Sequence, residues 1–364
     1  MVQTKGKHMN RNRLVFVASV MTLALPMAAC TSSKPQSEPS GTSTAAGGAS
    51  SSSSSTASAA ASATTVTAPP KASKEYNIAL LQGVVGDQFY ITMQCGAQDE
   101  AANLGVKVNT QGPQKFDPTL QKPILDSIVA SKPDALLVAP TDVQAMQQPL
   151  EQAAAAGIKV ILVDTTTNDP SYASSAIASD NEGGGAAAFD AIKQLHPDGG
   201  KVMVMGLEPG ISTTDARAKG FEDAVKTDSK FNYVGVQYSH NDPATAAQLI
   251  GAQLQKDPDL VGVFAVNLFA AEGSATGVKQ AGKSGQVQVV GFDAGPNQIA
   301  ALREGTVQAL VAQDPGAIGK FGVDEAVTAL EGGQNTANVQ TGFTIITKDN
   351  LDGDGGKAAY KSNC

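Results

Sequence analysis

Carboxylates and carboxamides recur just after the short apolar runs of this chain. Asp87 stands in Gly86-Asp-Gln-Phe-Tyr90, Asp164 follows Val160-Ile-Leu-Val163, and Asn241, Asn267, Asp293 and Gln313 follow later runs. Ionised carboxylates accept paired hydrogen bonds from vicinal hydroxyls, carboxamides both donate and accept, and aromatic faces such as those of Phe89 and Tyr90 cover the C–H side of a sugar ring. Adjacent helical residues point in different directions, so at least one of that aromatic pair is free to meet a guest. Arg217 is the one arginine near such a position. The chemistry that fits is capture of a small hydroxylated molecule.

Bond-making chemistry finds less support. Gly183-Gly-Gly185-Ala-Ala-Ala188 satisfies the G-x-G-x-x-A pattern of dinucleotide binders, with Glu208 about twenty residues on. Ser179-Asp-Asn-Glu182 separates it from the preceding apolar run, so no tight turn sets those glycines under a pyrophosphate, and close helix packing is their expected use. His240 lies near Asp242, but no G-x-S-x-G nucleophile elbow accompanies it, and His196-Pro197 reads as a helix end. Asp352-Gly-Asp-Gly-Gly356 resembles a calcium loop without the downstream glutamate and reads as a polar turn. The expectation is a binding protein, not an enzyme, with no cofactor and no metal.

The elements that must position these groups follow from periodicity. Short runs rich in β-branched residues at 77–81, 106–108, 135–138, 160–163, 201–205, 233–236, 261–264 and 287–290, most of them continuously apolar, read as strands buried on both faces. Ala-rich stretches such as 89–104, 118–131 and 244–256 open near Asp, Thr or Pro and read as helices. The pattern predicts parallel-sheet α/β structure, with ligands bound beyond the carboxyl ends of the strands. So many units exceed one ordinary open sheet, and Ile177-Ala-Ser-Asp-Asn181 interrupts the rhythm midway, so two doubly wound lobes are expected.

The chain of 364 residues is long enough for this and far beyond a small stapled fold. Its net charge is −8, and with Lys5, Lys7, Arg11 and Arg13 all in the leading segment the remainder carries −12, which repels nucleic acid and anionic headgroups. Residues 1–29 combine those basic residues with an apolar run from Leu14 that is too short to span a membrane comfortably, which reads as an export signal; Met9 is an alternative first residue. Met27-Ala-Ala-Cys30 resembles a lipobox with Met in place of the favoured Leu, so Cys30 is the expected lipidation site, against an ordinary secretory signal as the other reading. Residues 30–74, rich in Ser, Ala and Thr, are predicted to form a disordered tether. Outside the cytoplasm Cys95 and Cys364 are expected to pair, the other reading being a buried thiol and a loose tail.

Taken in order, Ile78-Ala-Leu-Leu81, Gly96-Ala-Gln-Asp-Glu-Ala101, Val138-Ala-Pro-Thr-Asp142, Lys219-Gly-Phe221, Val263-Phe-Ala-Val-Asn267, Val289-Val-Gly-Phe-Asp293 and Ala312-Gln-Asp-Pro315 resemble the substrate-binding proteins of bacterial ABC importers, of the ribose-binding, type I periplasmic binding kind. The resemblance covers roughly residues 76–346. It implies two lobes joined by a three-crossover hinge, lobe one being 75–179 plus 314–340 and lobe two 180–313 plus 341–364. By position it implies ligand contacts at Asp87, Phe89, Tyr90, Asp164, Asn241, Asn267, Asp293 and Gln313, with Asp215 and Arg217 as further contacts. Asp87 and Ala139 stand where ribose binders carry Asn, and Thr165 and Asp215 where they carry Arg. Those departures point to another sugar, a polyol or a guest with a cationic group. The function implied is a monomeric, lipid-anchored extracytoplasmic receptor that closes on its guest and presents it to an ABC permease and its ATPase subunit; a receptor signalling to a sensor kinase or chemoreceptor would keep the same cleft.

Overall fold

The computed structural model describes residues 63–364; the leader 1–29, Cys30 and most of the Ser-rich segment lie outside the described residues. Among the described residues twelve strands form two six-stranded sheets. The first holds β1 (Asn77–Leu81), β2 (Lys107–Gln111), β3 (Ala135–Val138), β4 (Lys159–Val163), β5 (Ser175–Ser179) and β11 (Asn338–Thr341), all parallel, in the order β2-β1-β3-β4-β5-β11. The second holds β6 (Gly200–Gly206), β7 (Phe231–Tyr238), β8 (Leu260–Ala265), β9 (Gln288–Phe292), β10 (Ala309–Gln313) and β12 (Phe343–Thr347) in the order β7-β6-β8-β9-β10-β12. There β12 runs antiparallel to β10, and the other pairings are parallel. Every residue of β3, β9 and β10 is buried, and apart from Gln288 and Gln313 at the ends of the latter two these strands are apolar throughout, whereas edge strand β2 alternates exposed and half-buried positions.

Helices cover both faces of each sheet: α1 (Gln88–Leu104), α2 (Pro118–Ala130), α3 (Gln147–Ala155) and α9 (Pro315–Leu330) on the first, and α4 (Asn181–Leu195), α5 (Ser212–Lys226), α6 (Pro243–Lys256), α7 (Leu268–Gln280) and α8 (Pro296–Glu304) on the second. Acidic or amide residues at the strand ends start many of these helices. Asp87, Asp180, Asp242, Asn267 and Asp314 each accept a backbone N–H of the first turn, satisfying donors that would otherwise be orphaned. The glycine pattern 183–185 falls within the first turn of α4. A Cβ on Gly185 would run into the Arg217 carbonyl, and one on Gly220 into the Glu182 carbonyl, so these glycines let α4 and α5 pack backbone to backbone.

The chain passes between the sheets three times, at Asp180, Asp314 and Gly342, and the strand ends there are stitched together. Ser179 donates its hydroxyl to Gln313 Oε1 at 2.7 Å and lies 3.3 Å from the Thr341 hydroxyl, while Asp180 N–H donates to the Thr341 carbonyl at 3.0 Å.

One segment departs from the sequence expectation, and the C-terminal one follows it in the pairing of Cys95 with Cys364. The predicted tether is docked from Thr64 on: Thr64 N–H donates to the Gln340 carbonyl, Gln340 N–H donates to the Thr64 hydroxyl, and Ser73 bonds Glu331. Strand β11 lies at a sheet edge, whose open backbone groups the segment satisfies, and Val66 and Ala72 tuck against the core. At the other end, the final residues leave the second sheet and return to α1. There Lys361 N–H donates to the Thr92 hydroxyl and Cys364 forms a disulfide with Cys95.

Candidate ligand-binding site

The carboxyl ends of both sheets face one cavity with an empty volume of about 390 Å³. From the first sheet come Asp87, Phe89 and Tyr90 after β1, Phe116 after β2 and Asp164 after β4. From the second come Leu207, Ile211, Thr213, Thr214 and Arg217 after β6, then Asn241, Asn267, Asp293 and Gln313 at the ends of β7, β8, β9 and β10. Asp164, Asn241 and Asp293 hold left-handed backbone at φ 66°, 56° and 79°. Asp and Asn tolerate that region better than other residues with side chains, and such strain gathers where a side chain must be aimed at a site.

Three carboxylates and one guanidinium are buried here together. Asp87 uses Oδ1 to cap α1 through Phe89 N–H at 2.8 Å, which leaves Oδ2 for a guest. Burial, and after it the charge of Asp293, push the Asp87 carboxyl up to about 7. Asp164 accepts the Tyr90 hydroxyl at 2.7 Å; burial pushes its carboxyl up to about 6, with Arg217 and that hydrogen bond opposing. Burial and then Asp164 hold the Tyr90 phenol well above its ordinary range, so Tyr90 stays a donor. Asp293 is the best held of the three: Gln313 Nε2 and the Tyr360 hydroxyl donate to Oδ1 at 2.7 and 3.0 Å, and Leu268 N–H donates to Oδ2 at 3.0 Å.

Arg217 is 3% exposed, donates from Nε to Asn181 and from Nη1 to the Val266 carbonyl, and lies 3.8 Å from the Phe292 ring centroid. Its Nη2 is buried with no hydrogen-bond partner among the described residues. A buried charged donor without a partner is costly, which marks Nη2 as a place for a ligand oxygen. Asn267 caps α7 through Oδ1 and donates from Nδ2 to Asn241 Oδ1 at 2.7 Å, so the two amides form one polar wall. Phe89 and Tyr90 meet edge to face at 5.1 Å, forming a rigid aromatic corner opposite it.

The lobes also meet across the cleft mouth. Val143 N–H donates to the Gly210 carbonyl at 3.0 Å, and Thr166 N–H donates to the Ser212 hydroxyl at 2.9 Å. These bonds require the two lobes to be drawn together.

Of the ten ligand positions expected from sequence, the cavity gathers all but Asp215. Asp215 is corrected: its carboxylate turns to the Gly210 N–H at 2.8 Å and braces the loop that bridges the mouth. Residues three and four apart share a helix face, so Thr213 and Thr214 accompany Arg217 into the cavity and Asp215 cannot. That spacing was the signal for the two threonines; Phe116, Leu207 and Ile211 carried none. His240 and Glu208 pair with each other at an exposed position outside the cavity lining.

Residues 78–334 match the model of a periplasmic binding protein domain. The chain belongs to that family. Its two parallel-sheet lobes are the type I periplasmic binding fold, and members of the family are substrate-binding proteins. The chain is 32% identical to the ribose import binding protein of Escherichia coli (strain K12) over 271 residues, covering 74% of this chain and 90% of that one. It is 30% identical to the Bacillus subtilis ribose import binding protein, covering 71% and 83%. Among solved structures, an ABC transporter solute-binding protein from Agrobacterium vitis bound with α-D-tagatopyranose is 40% identical with a TM-score of 0.77, covering 79% of this chain and all of that one. A second from Agrobacterium vitis, with bound D-fucose, is 30% identical with a TM-score of 0.75, covering 78% of this chain and all of that one.

Proposed function

We propose that the protein is the extracytoplasmic receptor of an ABC importer for a monosaccharide or related polyol, held at the membrane through a lipid on Cys30. One observation carries the reading. Buried carboxylates, paired amides, an arginine with a free Nη2 and an aromatic corner, drawn from both lobes, converge on a cavity whose mouth is bridged by lobe-to-lobe hydrogen bonds. A guest touching both lobes binds the closed form better than the open one and shifts the population toward closure. The closed pair of lobes is then the surface a permease would read, with the ATPase subunit supplying the energy. The departure from ribose binders at Asp87 and Thr165 agrees with the likeness to a protein bound with tagatopyranose.

Thermal unfolding of the protein with D-tagatose, D-ribose, D-fucose, polyols and amino sugars tests this. A guest at 100 times its dissociation constant adds about 2.7 kcal/mol of stability, which for a chain of this size is a shift of a few degrees. A shift with a neutral sugar or polyol that is lost in Asp164→Asn supports the reading. Shifts confined to amino compounds, or absent throughout, overturn it.

A further inference from the structure

The C-terminal segment joins the two lobes a fourth time and packs behind residues of the sugar site. Tyr360 N–H donates to the Ala294 carbonyl, one residue after Asp293, while Lys361 N–H reaches the Thr92 hydroxyl on α1 and Cys364 is bonded to Cys95 on the same helix. The strap therefore starts on the second lobe and ends covalently on the first. Along its course Leu351 and Tyr360 are buried in the core, and beside it lies an open pocket bordered by Thr92, Asp314, Phe343 and Lys357.

Tyr360 is 6% exposed. Its hydroxyl accepts the Gln313 backbone N–H at 3.1 Å and donates to Asp293 Oδ1 at 3.0 Å, and its ring meets Phe89 edge-on at 6.1 Å. One side chain thus touches a carboxylate and an amide residue from the second lobe and an aromatic of the first, all three lining the cavity.

We propose that Tyr360 is a positioning residue of the ligand site, fixing Asp293 and Gln313 against Phe89, and that the Cys95–Cys364 disulfide keeps it in place. The effect on affinity rests on the sugar-receptor reading; the positioning of Asp293 does not. Because the tyrosine acts through Asp293 rather than on the guest, losing its hydroxyl loosens an oriented acceptor and speeds guest release. The disulfide acts at a distance through the same contact, so the two losses share one cause.

The test compares wild type, Tyr360→Phe, Cys95→Ser/Cys364→Ser and the combined variant. Two readouts are taken: D-tagatose dissociation by stopped flow, and hydrogen exchange of the Leu268 and Gln313 amides without sugar. Tyr360→Phe keeps the ring, so packing is retained. A hydrogen bond to a charged group corresponds to roughly tenfold or more in an equilibrium constant, so about tenfold faster release is expected in Tyr360→Phe and in the cysteine variant. The combined variant should release no faster than either alone, since both act through one contact. Faster exchange at Leu268, whose N–H is bonded to Asp293, is expected in all three variants. Wild-type release from Tyr360→Phe, or additive losses in the combined variant, overturns the proposal. If wild type takes up no D-tagatose, the choice of sugar fails, and the exchange readout still decides: unchanged Leu268 and Gln313 exchange overturns the positioning role, faster exchange supports it.

Discussion

Ser179 and Gln313, 134 residues apart, meet at 2.7 Å where two of the three crossovers pass between the lobes, the serine hydroxyl donating to the side-chain carbonyl of the glutamine. Gln313 in turn donates from Nε2 to Asp293, so hinge and ligand site share one hydrogen-bond chain. Removing the hydroxyl strands a buried acceptor, which costs about 1–3 kcal/mol. Ser179→Ala should accordingly lower the urea midpoint of unfolding by that equivalent. An unchanged midpoint would show that the hinge does not depend on this bond.

Arg217 combines the site's charge balance with its one free guanidinium nitrogen. Arg217→Lys keeps the charge beside Asp164 but cannot serve Asn181, Val266 and a guest from a planar fork. Affinity for the sugar that stabilises wild type should fall at least tenfold, corresponding to about 1.5–3 kcal/mol for hydrogen bonds to a charged group. Titration calorimetry measures it, and wild-type affinity in the lysine variant would remove Nη2 from the site.

Asp215 separates bracing from ligand contact. The amide oxygen of Asp215→Asn can still accept the Gly210 N–H, so affinity should stay within about twofold of wild type, whereas Asp215→Ala loses one hydrogen bond of about 0.5–1.5 kcal/mol and should weaken closure several-fold. A carboxylate that touched the guest directly would lose affinity in both variants, and that result would return Asp215 to the ligand set.

The burial of Asp87 and Asp164 makes ligand-free stability depend on pH with a definite sign. Both carboxyls titrate higher in the fold, at about 7 and about 6, than the ordinary carboxylate value of 3.8. Between those limits the native state binds more protons than the unfolded chain, so these two groups make stability fall as pH rises from about 4 to about 7. Below pH 4 both states are protonated and their penalty vanishes; above the folded values it is constant. Denaturant melts of wild type and Asp87→Asn at pH 5 and pH 7.5 measure it: the wild type should lose more stability than the variant on going to pH 7.5. Equal losses would mean that Asp87 is ionised throughout.

Much of the architecture was legible because it is written in short-range patterns. A strand buried on both faces must be apolar at every position, as β3 is from Ala135 to Val138, and a helix after such a strand needs a cap, as α1 has in Asp87. Parallel sheets place ligands at their carboxyl ends, so Asp164, Asn267 and Asp293 stand out by position as either helix caps and turns or ligand contacts, and only the family resemblance favours the latter. The docking of residues 64–73 was not legible, because a Ser- and Ala-rich segment carries no sign of the open strand edge at β11 that it satisfies.

The amino-acid order by itself thus determined the alternation of strands and helices, the likeness to two-lobed receptors and the polar residues at the strand ends, since each depends on neighbours within a few positions. Tertiary structure decided which of those residues face one another. It turned Asp215 from the cavity and Thr213 and Thr214 into it, left Arg217 Nη2 without a partner, and brought Tyr360 from the far end of the chain onto Asp293. The step of about 100° per helical residue already groups Thr213 and Thr214 with Arg217 and sets Asp215 apart, but which face meets the cavity, and which distant segments touch, are decided only once the lobes have folded and met.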